Sequence, residues 1–272
     1  MTTPQTVLLR HRGSRFDREV IGRWLAATTD LVGEIVIESD WTRQVNTLKH
    51  ELSRSGIIGL IDAIAYRLYY DAVLNNKEMP KIDALISDTQ AEYPDFSVPE
   101  YSVADANNKE TADILRNLTP DLMLARCKVL LSKSVYAIPN YGTFVIHPGI
   151  CPEYRNQHGC FWALANGDDD KVGFSLIRIN DGIDTGEIFA QDGTTFNPVD
   201  DEHIYIQLKV VADNLPSLTP VITAVANGEA EAISTDDRQG ALWGMPKLSA
   251  WLTWKRRVQR FGIGTYNSTH DS

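Results

Sequence analysis

Runs of consecutive apolar side chains alternate with stretches of helical spacing along the first two-thirds of the chain, and this alternation restricts the fold more than any other feature. Residues 5–9, Leu31–Ile37, Asp121–Ala125 and Thr143–Ile146 are short and dominated by neighbouring apolar residues. They lack the strict polar alternation of a strand with one wet face. Between them, Phe16–Ala27 carries Val20, Ile21, Trp24 and Leu25 at helical spacing. Thr42–Tyr70 reads as two helices split near Gly56 and Gly59, and residues 107–118 read as a helix that stops before Pro120. Strands buried on both faces with helices between them predict an α/β architecture: an open, mostly parallel sheet with helices on both faces.

Other stretches are less regular. Residues 75–100 have weak periodicity and contain Pro80, Pro94 and Pro99, which predicts mostly loop with one short strand near Ala84–Ile86. Val172–Ile179 and Glu187–Phe196 read as two strands around the Asn180–Gly186 turn, a long-looped hairpin. Glu202–Asn227 is helical in character, with interruptions at Pro216 and Pro220. The 272 residues allow one large domain or two small ones. The pattern divides them into a unit over residues 1–200 and a C-terminal helical extension over 201–272, whose last residues are polar and expected to be disordered.

Composition removes several functional classes. A net charge of −10 argues against a dedicated nucleic-acid binder, which needs a basic face to displace counterions. Three cysteines, Cys127, Cys151 and Cys160, do not make a disulfide framework and suit a reducing compartment. The N-terminal apolar run Val7–Leu9 is shorter than a signal peptide requires. The most apolar long window, Gly56–Tyr70, is broken by Asp62 and Arg67, so no membrane span is expected. A cytoplasmic protein with no membrane partner is the resulting expectation. No phosphate-loop, dinucleotide-binding or serine-elbow motif is present.

The chemistry-bearing candidates concentrate between Thr143 and Gln191. His147 directly follows an expected strand, and Pro148 ends that strand. In open α/β sheets ligands sit beyond the carboxyl ends of strands, and an imidazole placed there can move protons near neutral pH. The competing reading is a histidine that only hydrogen-bonds a strand end. Asp184 lies in the turn Asp181-Gly182-Ile183-Asp184-Thr185-Gly186, where it serves either turn geometry or as a carboxylate aimed at His147. His147, Cys151, His158 and Cys160 are all types that bind zinc, but their spacings fit no standard closed site and no metal is expected. Asp168-Asp169-Asp170 reads as a solvated turn. Trp243, Trp251 and Trp254 read as a docking face, and Lys255, Arg256, Arg257 and Arg260 as a solvated helix face.

Four blocks in this region carry a resemblance: P-D-L-M-L at 120–124, A-I-P-N-Y-G-T at 137–143, I-H-P-G-I-C-P-E-Y-R at 146–155 and D-G-I-D-T-G-E-I at 181–188. In order and spacing they resemble the folate-dependent formyltransferases, which include glycinamide ribonucleotide, methionyl-tRNA and sugar N-formyltransferases. The resemblance implies a Rossmann-type domain and 10-formyltetrahydrofolate as formyl donor. His147 and Asp184 match the family's catalytic histidine and aspartate. The donor's pteridine is expected near Arg126, Cys127, Lys128 and Val129 and near Ile179, Asn180, Asp181, Gly182 and Ile183.

The chain departs from the family pattern at one place. Where the family reads Asn-x-His, this chain reads Val145-Ile146-His147, and a valine cannot donate a hydrogen bond. Asn140 and Asn156 are the nearest amides in sequence and the candidates to replace it. The stretch after Gln191 is shorter than the tRNA-contacting domain of methionyl-tRNA formyltransferases, and with the acidic charge it favours a small-molecule amine as substrate. Transfer of a formyl group to such an amine is the leading expectation. Altered one-carbon or acyl chemistry, hydrolysis of the donor, and a non-catalytic binding module are the alternatives. The oligomeric state is not legible.

Overall fold

The computed structural model describes the backbone of residues 3–38 and 42–261 and the side chains of residues 3–38 and 51–260. Strand β1 (Gln5–His11) leads through one π-helical turn (Asp17–Gly22) into α1 (Arg23–Thr28) and β2 (Asp30–Ile37). Then come α2 (Thr42–Tyr69), a second π-turn (Tyr70–Leu74), α3 (Asn75–Glu92), β3 (Glu100–Val103), α4 (Lys109–Leu118) and β4 (Leu122–Arg126). The short α5 (Lys133–Tyr136) precedes β5 (Gly142–His147), β6 (Arg155–Asn156), α6 (Gly159–Asn166), β7 (Gly173–Arg178) and β8 (Ile188–Gly193). The described chain closes with α7 (His203–Asp213), α8 (Leu215–Ala226), β9 (Leu242–Trp243) and α9 (Leu248–Phe261).

One seven-stranded sheet has the order β3-β2-β1-β4-β5-β7-β8. The first five strands are parallel, and β7 and β8 are antiparallel additions. The chain winds outward from β1 towards β3, then crosses back to β4 and winds the other way. That reversal makes a crevice beyond the carboxyl ends of β1 and β4. Alternation along each strand sends Leu8, Leu124, Phe144 and Ile146 into a core with α1 and the C-terminal helices, where Trp24 and Trp254 are fully buried. Val7, Leu9, Met123 and Ala125 face the other way, against Ala112 and Leu115 of α4. Covering both faces explains the near-continuous apolar runs. A second, two-stranded pairing joins β6 to β9 in parallel.

The expected sheet, hairpin and helices are found, with one large exception. Residues 75–92 form α3, not a loop with a strand at Ala84–Ile86, and the edge strand comes later, at Glu100–Val103. The buried stripe of this helix runs Glu78, Ile82, Ile86, Thr89. Two polar residues occupy it, which hides the helical period from a reading of apolar spacing. Pro80 is accommodated inside the helix. Residues 129–132 are loop, and of the two glycines expected to split α2 only Gly56 leaves helical geometry, at φ +68°. The expected disorder of the last residues concerns positions outside the described ones. No helix among the described residues is long and apolar enough to cross a membrane.

Glu78 gives this buried helix a pH dependence. Its Oε1 accepts from the Tyr205 amide at 2.7 Å, yet burial pushes the carboxyl up to about 7 from an ordinary 4.5. Between those values the folded chain keeps a proton that the unfolded chain has released, so stability falls as pH rises through that window. Glu78→Gln removes the ionisation. It should match the parent in thermal melts near pH 5 and be more stable near pH 8, by about 1–3 kcal/mol. Equal melting temperatures at pH 8 would contradict the burial argument.

Candidate active site

Strand alternation builds the site. Thr143, Val145 and His147 share one face of β5, and Phe144 and Ile146 take the other. His147 sits at the carboxyl end of β5, opposite Ser175 of β7. Gly149 follows within the turn. A Cβ on it would lie 2.7 Å from His147 Nε2 and 2.7 Å from the Tyr154 carbonyl, so only glycine lets the turn fold this closely over the ring. Ser175 fixes the same turn, its hydroxyl donating to the Gly149 carbonyl at 2.7 Å and accepting from the Cys151 amide at 2.9 Å. Arg126 clasps the strand ends. Its guanidinium donates to the Ile146 carbonyl at 2.6 Å and pairs with Asp17 at 2.9 Å.

Asp184 arrives from the loop after β7. Asn180 shapes that loop by accepting from the Gly182 amide and the Thr185 hydroxyl, and Tyr136 donates to Asp181. Asp184 itself adopts φ +48°, a left-handed conformation that aspartate tolerates better than most residues. Its Oδ2 accepts from the Asn156 amide at 2.7 Å and lies 3.6 Å from His147 Nδ1. His147 Nε2 is 2.8 Å from the Tyr154 carbonyl, which can only accept, so this nitrogen carries the hydrogen. A neutral ring therefore presents a bare Nδ1 towards the carboxylate. When Nδ1 gains a proton, both nitrogens face acceptors. The pair is arranged to receive a proton at Nδ1 and to hold the resulting charge beside Asp184.

The wall next to His147 is apolar. Val145 packs with Cys151, Ile177 and Ile188. Neither amide expected to compensate reaches it. Asn140 lies before β5, at the opposite end of the strand from His147, and donates to Asp121 at 3.2 Å. Asn156 adjoins Asp184, but its side-chain amide donates to the Trp243 carbonyl at 2.5 Å.

Both segments expected around a pteridine border the same core cluster. Cys127, Val129, Ile138 and Ile179 are half-buried apolar residues packed on one core cluster, on the face that carries Val145 and His147. The side chains of Arg126, Asn180 and Asp181 are engaged within the protein, which leaves backbone groups and the exposed Lys128 as polar contacts. An open depression of about 450 Å³ lies at the amino end of β5 between Tyr136, Asn140, Tyr141, Arg178 and Ile179. His147 and Asp184 lie at the other end of that strand, which is the neighbour of β4 at the sheet reversal.

The remaining candidates separate. Cys160 is buried with its thiol against the Pro148 and Gly173 carbonyls and is pushed up to about 12 by burial, far from the thiolate a metal needs. His158 turns towards His203, ring centroids 5.4 Å apart, and its sealed Nδ1 has no hydrogen-bond partner, so burial drives it down to about 3. His203 is likewise pushed well down by burial and shares a hydrogen bond with the Tyr66 hydroxyl. Asp169 pairs with Arg257, and Lys255 with Glu202. Lys255 and Arg257 of the basic run are thus engaged in ion pairs instead of forming part of a solvated face. Trp254 is fully buried, and Trp243 stacks on Tyr154 and Trp162. The spacing of these residues gave no sign that Trp243 also holds Asn156.

A family model described as formyl transferase matches residues 70–214, just over half of the chain. The mitochondrial 10-formyltetrahydrofolate dehydrogenase of Homo sapiens is 26% identical over 168 residues, which are 61% of this chain and 18% of that protein. The methionyl-tRNA formyltransferase of Chlorobium chlorochromatii is 28% identical over 166 residues, 60% of this chain and 52% of that one. The chain thus spans less than a fifth of the first and about half of the second. Among solved structures, a sugar N-formyltransferase from Shewanella sp. FDAARGOS_354 superposes with a TM-score of 0.55 at 13% identity, over 93% of this chain and 88% of that one. A phosphoribosylglycinamide formyltransferase from Anaplasma phagocytophilum gives 0.54 at 12% identity, over 86% of this chain and 97% of that one. The structural likeness speaks for the fold, and the sequence model for the lineage: the chain belongs to the formyl transferase family.

Proposed function

We propose that this protein is an enzyme that transfers a formyl group from 10-formyltetrahydrofolate to the amine of a small molecule, with His147 and Asp184 handling the proton. The observation that carries this reading is the approach of His147 and Asp184, distant in sequence, to 3.6 Å in the crevice of the sheet. The bound donor supplies an electrophilic formyl carbon. Its flat ring system would lie against the half-buried apolar residues Cys127, Val129, Ile138 and Ile179, with backbone groups and Lys128 as polar partners. The attacking amine has to lose a proton as its bond to the formyl carbon forms, and the donor nitrogen has to gain one as its own bond to that carbon breaks. His147 Nδ1 is placed to take the first proton and return it to the departing tetrahydrofolate nitrogen, with Asp184 stabilising the imidazolium in between. Residues 1–200 carry this chemistry, and the C-terminal extension braces it through Trp243. The net charge of −10 supports a small amine over tRNA.

A second reading is hydrolysis of the same donor, in which a water takes the place of the amine. One experiment separates the readings. Donor consumption is followed with and without a panel of small amines, and melting temperatures are measured with a tetrahydrofolate analogue. Amine-dependent consumption is the expected result, and an analogue present at about 100 times its Kd should add about 2.7 kcal/mol of stability. Consumption without any amine selects hydrolysis. Neither turnover nor stabilisation would overturn both.

A further inference from the structure

Beyond the kink at Gly56, α2 has one face held by the rest of the protein. Ala63 and Tyr66 are buried, and Asp62 accepts from the Ser249 amide at 3.0 Å at the start of α9. The opposite face is open and apolar. Ile57, Ile58, Ile61 and Leu68 are 67%, 81%, 61% and 66% exposed, and Ile64 is 40% exposed. The intervals 57, 61, 64, 68 are four, three and four residues, the alternation of the core seam of a coiled coil. The seam is about 17 Å long. The charged residues of this turn run stay off it: Asp62 faces α9, and Arg67 pairs with Asp71 at the margin. Single exposed apolar residues need no explanation, but a contiguous, charge-free stripe does.

We propose that this stripe is the interface with a second copy of the chain, in which two α2 helices pack antiparallel across a two-fold axis near Ile61. A seam with this spacing is self-complementary under a two-fold, so that Ile57 of one copy meets Leu68 of the other and the reverse. Pairing the two stripes covers four largely exposed aliphatic side chains and the half-exposed Ile64 on each copy, and the residues flanking them add to the roughly 1,200 Å² that a specific interface needs. A lipid surface fits less well, because the basic residues beside the stripe, Arg54 and Arg67, are paired with Glu51 and Asp71 and the whole chain is acidic. The ridge is convex, which does not suit a groove for a peptide.

Sedimentation velocity of the full chain across the micromolar range tests the interface. The expected result is a reversible dimer. Ile61→Glu places two carboxylates at the axis and should raise the dimer dissociation constant by about 100-fold or more. Ile57→Glu is a second, independent variant, and Asn76→Glu, exposed but off the stripe, should leave association unchanged. Because the substituted residues are exposed, circular dichroism spectra should match the parent. A monomer at every concentration overturns the proposal. So does a dimer that survives both Ile61→Glu and Ile57→Glu, or binding to neutral lipid vesicles that Ile61→Glu abolishes.

Discussion

Replacing His147 by Ala should reduce amine-dependent formyl transfer by about 100- to 10,000-fold, the usual loss when a positioned acid–base group is removed. The ring is 5% exposed, one nitrogen is fixed on the Tyr154 carbonyl and the other faces Asp184. His158 and His203 look towards each other in the helical layer instead. The loss should appear in kcat more than in KM, because the proton moves as the new bond forms. Binding of a tetrahydrofolate analogue should persist, since its proposed contacts are with Cys127, Val129, Ile138 and Ile179 and not with the His147 ring. Turnover within a few-fold of the parent would remove His147 from the chemistry.

Val145→Asn should have the opposite sign. Position 145 is two residues before His147 on one pleated strand, so its side chain emerges on the same face. An amide there would point at the oxygen on which negative charge builds during transfer. One such donor is worth about 100- to 1,000-fold in rate, about 3–4 kcal/mol. The same amide would replace a methyl pair packed on Cys151, Ile177 and Ile188. An unpartnered amide in that wall costs about 1–3 kcal/mol of stability. The variant should therefore be faster and melt lower, with the analogue restoring part of the loss. An unchanged or lower rate would mean that another group meets that oxygen, or that transfer to an amine is not the reaction.

Local signals made much of this molecule legible, and remote ones did not. A strand ended by proline, followed by a turn, identifies His147 as a strand-end residue from a handful of neighbours, and the Asp181–Gly186 turn is similarly self-announcing. Four of the sheet's five parallel strands follow from their two-sided burial, whereas the edge strand β3 is mostly exposed and carries no such run. Helix α3 escaped because Glu78 and Thr89 occupy positions where an apolar residue would have shown the period. Asn140 misleads for a geometric reason. It is seven residues from His147, but an extended strand at about 3.3 Å per residue carries the two to opposite ends of the sheet. The pairing of β6 with β9 involves two residues on each side, too few to leave a pattern.

That small pairing sets a timetable for the molecule as it leaves the ribosome. Strands β1 to β8, His147 and Asp184 are all translated before Trp243. Only when Trp243 emerges can its carbonyl take the Asn156 amide, and with it fix the backbone N–H that Asp184 accepts. At ordinary elongation rates the gap is several seconds. For that interval the nascent chain holds both partners of the proton-handling pair without the bracket that sets their geometry.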